Sequence, residues 1–409
     1  MSGAGAGVIV IVAGAVLRSP ALLAVGAIVE LVAGLRSLWT RFGLRNLTYE
    51  RHLEADRVPF GEEIGLDLVV RNRKLLPLPW LSIEDHVSRG ANVVGRAMDP
   101  SARPGFVVLR TTWTLGWFQR VTRRFRILAD RRGVYEFRDV NLLVGDLFSD
   151  ATVVEERELP MRYRVVPRSV PVRRAGQLSE IPGTVRRRHG LFEEPTLYAG
   201  VRPYRAGDSL RRVHWKATAR LGRPISRRYD PGVARETILA VDAQTIPGPF
   251  WRMTYQEDRL EGIYTAALSL ARDRIATGAA CGLAANAYSR RPERTVYLAP
   301  SAAAGQIGRI ADMLASLTSW PSLPFTNLLD ALGPRVPPTT TIVALTSLPT
   351  IEVLAVLRAL QLSGRDVQLV AFGSDAAGRV AGARSLGIPA SLARLEPDWA
   401  TSDALDLAG

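Results

Sequence analysis

Residues 3–38 consist almost entirely of Gly, Ala, Val, Ile and Leu, with only Arg18, Glu30 and Arg36 charged. A run this apolar has to leave water, against protein or in lipid. Arg18-Ser19-Pro20 divides it. Pro20 suits the first position of a helix and Ser19 its N-cap. A helix from Pro20 to about Trp39 would measure roughly 30 Å, the thickness of a hydrocarbon core. The first segment, Gly3 to Leu17, would reach only about 22 Å. The pattern predicts a transmembrane helical hairpin over residues 1–40. A single tilted span with the first segment at the interface, and a hairpin buried in a soluble core, are the alternatives. A cleaved signal peptide would want a basic leading region, and residues 2–17 hold no Lys or Arg. Glu30 is expected to face the partner helix or an interface.

Arg36, Arg41, Arg45, Arg51 and Arg57 follow the second segment. By the positive-inside rule that end is cytoplasmic, so the bulk of the chain is expected there, at the cell membrane. A single cysteine, Cys281, excludes a disulfide framework and a Cys-rich zinc module. It lies in an apolar run and is expected to be inert core.

Residues 41–160 read as a β-rich domain. Ile64, Leu66, Leu68 and Val70 alternate with Gly65, Asp67, Val69 and Arg71, the period of a half-buried strand. Val107 to Thr114, Trp117 to Leu128 and Gly133 to Leu143 are further strand runs. Leu75 to Trp80 contains two prolines, which predicts an edge or a loop. Short strands at this spacing suggest a small β-sandwich or barrel.

Residues 161–235 form an Arg-rich segment of weak periodicity, linker-like at first and ordered later. From Arg162 to Arg235 there are 17 Arg and one Lys against five acidic residues, so almost all of the +14 net charge lies here. A nucleic-acid or anionic-lipid binding role through 162–235 is the rival functional reading. Neither a groove-reading fold nor an aromatic platform accompanies the charge, so no specific nucleic acid is expected.

From residue 236 to 409 the pattern becomes strand–helix alternation. Strands are predicted at 237–241, 280–285, 295–298, 341–345 and 367–372, with helices at 256–277, 302–317 and 350–362. That is a doubly wound α/β domain. The whole chain is therefore α/β in class, with the membrane hairpin and the small sandwich ahead of this domain.

The chain has no G-x-x-x-x-G-K-[ST], G-x-S-x-G, H-E-x-x-H or C-x-x-C, so no nucleophile, metal cluster or cofactor loop is expected. The densest constellation runs from Arg202 to Arg220. Ala206-Gly207-Asp208 predicts a turn, Asp208 an N-cap, and Ser209 to Ala217 a short helix carrying Arg211, Trp215 and Thr218 on one face. Arg211 is placed to cover the Trp215 ring, and Arg202 or Arg220 to fork onto Asp208. The constellation is either a structural knot or a partner-binding surface.

Arg202, Tyr204, Gly207, Asp208, Arg211, Val213, Trp215, Thr218, Ala219 and Arg220 together resemble the signature of the domain of unknown function 58 family. Tyr49-Glu50-Arg51, Asn72-Arg73 with Leu76 to Trp80, and Arg132-Gly133-Val134-Tyr135 with Gly145-Asp146-Leu147-Phe148 are similar to its upstream segments, although Leu147 replaces a proline. The resemblance implies a von Willebrand factor type A-like domain at the C-terminus. In that fold D-x-S-x-S and a later Asp bind a divalent metal. Here the first site reads Asp242-Ala243-Gln244-Thr245-Ile246, and Ser347 or Leu348 stands where the later Asp would be. Asp242 is thus expected to be a degenerate metal-site position and a structural carboxylate. The resemblance also implies a non-enzymatic, membrane-anchored adaptor or scaffold for protein–protein interaction. Its implied partners are a MoxR-type AAA+ ATPase and a transglutaminase-like membrane protein, beside the membrane lipid expected from the apolar segment itself.

Overall fold

A computed structural model of the chain describes residues 3–145, 152–175, 198–204, 213–229, 236–251, 255–289, 296–395 and 398–408. They divide into two compact units, Met1–Arg168 and Ser169–Gly409.

The first unit opens with two helices, α1 (Gly3–Val16) and α2 (Pro20–Phe42). Ser19 takes an extended backbone and its Oγ accepts from Leu22 N, so the cap and Pro20 start α2 as the sequence predicts. Gly26 lets α1 and α2 approach closely, since a Cβ there would lie 2.8 Å from the backbone N of Ile11. Glu30 lies across Gly7 of α1, where an added Cβ would meet its Oε1 at 2.6 Å. The carboxylate therefore faces the neighbouring helix. Of these helices only α2 is long and apolar enough to cross a membrane, and just 6% of its most apolar stretch is buried.

Ten strands follow: β1 (Leu47–Leu53), β2 (Arg57–Pro59), β3 (Glu63–Asn72), β4 (Leu78–Ser88), β5 (Asn92–Val93), β6 (Asp99–Pro100), β7 (Phe106–Leu115), β8 (Arg120–Leu128), β9 (Gly133–Gly145) and β10 (Thr152–Val166). They form a four-stranded sheet, β1-β3-β8-β5, and a six-stranded sheet, β2-β10-β9-β4-β7-β6. The sheets share one apolar core, with Ile64, Leu66, Leu68 and Val70 of β3 pointing into it as their alternation requires. The proline-containing stretch 75–80 is in part the expected loop, since residues 75–77 form a turn, but its last residues open a strand. β4 starts at Leu78 and pairs with both β7 and β9, so it is central and not an edge. Pro79 is accommodated because the register slips between Leu78 and Leu81, and pairing on both sides begins only at Leu81.

The helical segment does not end at residue 40. α2 runs to Phe42, and Trp39 is buried in the sandwich core with its Nε1 donating to Pro77 O at 2.9 Å. A buried ion pair joins the two sheets. Arg51 Nε of β1 lies 3.3 Å from Asp85 Oδ1 of β4, and the Tyr49 hydroxyl donates to Asp85 Oδ2 at 2.6 Å. The Arg51 guanidinium also covers the Phe137 ring. Tyr135 stacks on Tyr163 at 5.1 Å and its hydroxyl donates to Arg131 O.

The second unit contains β11 (Val172–Ala175), β12 (Tyr198–Pro203), α3 (Trp215–Leu221), β13 (Ile225–Tyr229), β14 (Glu236–Val241), α4 (Glu257–Ala276), β15 (Ala280–Ala285), β16 (Ala287–Ser289), β17 (Val296–Ser301), α5 (Gln306–Ser316), β18 (Leu317–Pro321), α6 (Phe325–Arg335), β19 (Thr341–Thr346), α7 (Ile351–Leu362), β20 (Val367–Phe372), α8 (Ala377–Ser385), β21 (Ala390–Arg394) and β22 (Leu405–Ala408). The main sheet has the order β11-β22-β21-β20-β19-β14-β15-β17. β15, β14, β19, β20 and β21 are parallel, each flanked by a helix in sequence. The chain leaves β14 toward β15 on one side and reaches β19 on the other, so the strand order reverses between β14 and β19. Ligand and partner sites of open α/β sheets concentrate at such a reversal, at the carboxyl ends of the strands.

The described ends of the Arg-rich segment are not a free linker. Residues 161–166 continue β10, and β11 pairs in parallel with β22.

Candidate functional site

Asp242 directly follows β14, at the reversal. Its backbone N donates to Leu345 O, which fixes it beside the end of β19. The side chain is 2% exposed and both oxygens are occupied. Oδ1 accepts from Gln244 N at 3.0 Å and from Asn286 Nδ2 at 2.9 Å. Oδ2 accepts from the Thr346 hydroxyl at 2.7 Å. Asn286 in turn accepts from Ala243 N and donates to Leu323 O, while the Thr346 hydroxyl accepts from Leu348 N. Burial pushes the Asp242 carboxyl up to about 6, opposed by the Thr346, Gln244 and Asn286 hydrogen bonds. Three strand ends thus converge on one carboxylate and satisfy it with neutral donors. The remaining residues of the degenerate motif turn elsewhere: Gln244 Nε2 donates to Ile246 O and Gly248 O, and the Thr245 hydroxyl accepts from Gln256 N. Ser347 is buried nearby. Among the described residues no group of three or more His, Cys, Asp or Glu is placed to hold a metal ion.

Large aromatic side chains stand on the segments that leave these strand ends. Trp251 lies in the loop after β14 and is 72% exposed. Tyr288 follows Asn286 in β16, which pairs with β18, the strand that carries Trp320; they are 52% and 45% exposed. The sequence signal for these residues is weak. Asn286 and Thr346 are neutral, lie 104 residues or fewer from Asp242, and become its partners only through strand register.

The signature segment is only partly within the described residues. Gly207, Asp208 and Arg211 lie outside them, and so do the predicted Arg202–Asp208 and Arg211–Trp215 pairings. Of the predicted helix over Ser209–Ala217, residues 209–212 also lie outside the described residues, and the rest is corrected at Val213 and His214. α3 begins at Trp215, and its N-cap is His214, whose Nδ1 accepts from Ala217 N at 3.1 Å. Val213 forms an isolated bridge with Ser226, an extended pairing that a helix through this position would forbid. The described ends all close on residues 224–226. Tyr204 N donates to Pro224 O, His214 N to Ile225 O, and Ile225 N to the Thr218 hydroxyl, while Arg202 pairs with Ser226 in β12–β13. Trp215 and Arg220 remain exposed. Cys281 is fully buried in β15, and burial pushes its thiol up to about 12, the behaviour of an inert core cysteine.

Residues 200–352 match the family described as "Protein of unknown function DUF58". The chain is 23% identical over 261 residues to the uncharacterized protein YeaD of Bacillus subtilis, covering 62% of this chain and 58% of that protein's length. Among solved structures, it is similar to the CARDB domain of the PF1109 protein of Pyrococcus furiosus, with 15% identity, a TM-score of 0.21, and 29% of this chain against 87% of that one. It is also similar to Spo0M, the sporulation control protein of Bacillus subtilis, with 15% identity, a TM-score of 0.19, and 30% of this chain against 50% of that one. Likenesses at those scores bear on neither fold nor function.

Proposed function

We propose that this chain, a member of the DUF58 family, is a non-enzymatic, membrane-anchored adaptor that presents its second unit to a protein partner. α1 and α2 form the membrane hairpin, and the Arg-rich exit of α2 keeps the two units cytoplasmic. The second unit is a von Willebrand factor type A-like domain whose metal position has become structural. The observation that carries the reading is the closed Asp242 site: its carboxylate is consumed by Thr346, Asn286 and Gln244, while Trp251 in the loop after β14 and Tyr288 and Trp320 on the paired strands β16 and β18 stand exposed. Exposed Trp and Tyr around a rigid centre are the residues that anchor interfaces. A filled centre gives a reaction no group to use, whereas a rigid loop frame suits recognition by direct contact. The partner is a MoxR-type AAA+ ATPase, with a transglutaminase-like membrane protein as a further component.

The test is affinity capture of the full-length protein from membranes, with and without Trp251→Ala/Trp320→Ala. Capture of an AAA+ ATPase that the double variant loses, with membrane fractionation and thermal unfolding unchanged, supports the adaptor reading. Turnover of a substrate by the purified protein, or capture unaffected by the double variant, would overturn it.

A further inference from the structure

At the C-terminal end of α2 there is a cleft of about 550 Å³, lined by Leu38, Phe42, Arg45 and Asn46 on one side and by residues 74–77 on the other. Among the described residues no acidic side chain lines it. Arg45 contributes a guanidinium, which also covers the Phe42 ring at 5.1 Å. The Lys74 Nζ is shielded from solvent and meets no hydrogen-bond partner among the described residues. A shielded ammonium without a partner is costly and favours an anion beside it.

The cleft adjoins an apolar tip. Residues 73–77 form the turn between β3 and β4, and 116–119 the turn between β7 and β8. Asn72 ties the two together, since its Nδ2 donates to Leu76 O at 2.9 Å and to Gly116 O at 2.8 Å. Phe118 N donates to Lys74 O. From the paired turns Leu75, Trp117 and Phe118 project into solvent, 74%, 70% and 63% exposed. Phe118 does so from a left-handed backbone, φ +50, which a bulky residue adopts at a cost of order 1 kcal/mol or more. Three large apolar side chains on tied turns, one of them strained, form a patch that a water-facing surface would not keep.

The height of this patch is fixed by α2. Leu38 and Phe42 are one helical turn apart, about 6 Å, and both touch the cleft. If α2 spans, its last turn lies in the headgroup layer, which is roughly 5–7 Å deep on each side. The cleft and tip then lie in that layer too. Trp, Phe and basic side chains are the groups that settle there.

We infer that the paired turns 73–77 and 116–119 insert into the membrane interface beside α2, and that Lys74 and Arg45 hold the phosphate of an anionic lipid in the cleft. The inference rests on the anchor reading of α2. The first unit is then a second membrane contact that fixes the sandwich's tilt against the bilayer.

The test uses full-length protein in nanodiscs of phosphatidylcholine, with or without phosphatidylglycerol. A fluorophore is placed on Leu75→Cys or Leu31→Cys, and nitroxide lipids serve as quenchers. Leu75→Cys is expected to be quenched by headgroup-level nitroxides and Leu31→Cys by deep ones. Quenching at position 75 should increase with phosphatidylglycerol, and this increase should vanish in Arg45→Gln/Lys74→Gln. Trp117→Ser/Phe118→Gly, in which glycine suits the left-handed backbone, should lose quenching at 75 altogether. Quenching at 31 without quenching at 75 would overturn the inference and leave the anchor standing. No quenching at 31 would remove the anchor and the inference together. A lipid dependence that survives Arg45→Gln/Lys74→Gln, or that inorganic phosphate abolishes, would overturn the lipid-phosphate assignment.

Discussion

At the scale of the residue, Asp242 shows how a buried carboxylate at a strand end can be held entirely by neutral donors. Its folded carboxyl titrates near 6 instead of the ordinary 3.8, with burial as the largest cause. The folded state therefore holds this proton more tightly than the unfolded chain does. The stability this contributes is fully present below about pH 4 and is lost as pH rises through about 6. Asp85 is raised to about 6 by burial as well and acts in the same window. Asp242→Asn keeps an acceptor for Gln244 N and Asn286 but removes the titration. We expect the fall in melting temperature between pH 4 and 7 to become shallower in Asp242→Asn, while an unchanged slope would show that this carboxyl does not titrate there. Asp242→Ala strands three donors and should cost about 2–4 kcal/mol in denaturant unfolding. Calorimetric titration of the full chain with Mg²⁺, Mn²⁺ or Ca²⁺ should show nothing tighter than about millimolar, because one carboxylate among neutral groups gives at best a site at the weak end of the known range. Micromolar binding that Asp242→Asn abolishes would contradict this.

Among the elements, the joint between the β3–β4 and β7–β8 turns depends on one side chain. Asn72 is wholly buried, and its amide supplies the donor for two carbonyls in different turns. Asn72→Ala should destabilise the first unit by about 2–4 kcal/mol, since both carbonyls lose their donor. It should also speed proteolysis at 73–77 and 116–119 ahead of other sites, and an unaltered cleavage order would show that the turns are held some other way. The sequence made β3, α4 and the parallel strands β14, β15, β19 and β20 legible almost to the residue, because their burial is written in the side chains, whereas β21 was not among the predicted strands. Residues 75–77 are the loop that Pro77 announces, but the start of β4 was illegible because Pro79 argues for an edge, and only the slipped register before Leu81 admits the strand to the centre. The start of α3 was missed for a similar reason. Val213 has a long-range extended partner, Ser226, which outweighs local helix preference. Asp242 could be picked out only through the family resemblance, as the first position of the metal motif it implies. Its partners Asn286 and Thr346 could not, because their proximity is a property of sheet order and not of spacing.

For the molecule as a whole, the helical segment and the sandwich are one folding unit, and this decides where the chain can be cut. The sequence places the end of the hairpin at residue 40. The structure carries α2 to Phe42 and uses its last turns as part of the sandwich. Trp39 is 7% exposed, Leu35 packs against the same core, and Pro77 O receives the indole N–H. Deleting residues 1–40 therefore removes a core tryptophan along with the apolar helices. Loss of a buried Trp side chain costs about 3–5 kcal/mol, a large part of the 5–15 kcal/mol that holds a typical domain together. Deleting residues 1–33 removes α1 and most of the apolar face of α2 but leaves Leu35, Trp39 and the bond to Pro77. The shorter deletion should leave the membrane fraction, apart from what the paired turns retain through anionic lipid, and should unfold in one sharp transition for the first unit. The longer deletion should leave the membrane as well, but with that transition lowered or absent and with greater aggregation. The comparison separates anchoring from folding, which a single truncation at 40 would confuse. Equal stability of the two truncated proteins would show that Trp39 is dispensable to the core. Retention of the shorter one on membranes at high salt would show that α1 and α2 are not the main anchor, because contacts to anionic lipid alone are screened under those conditions.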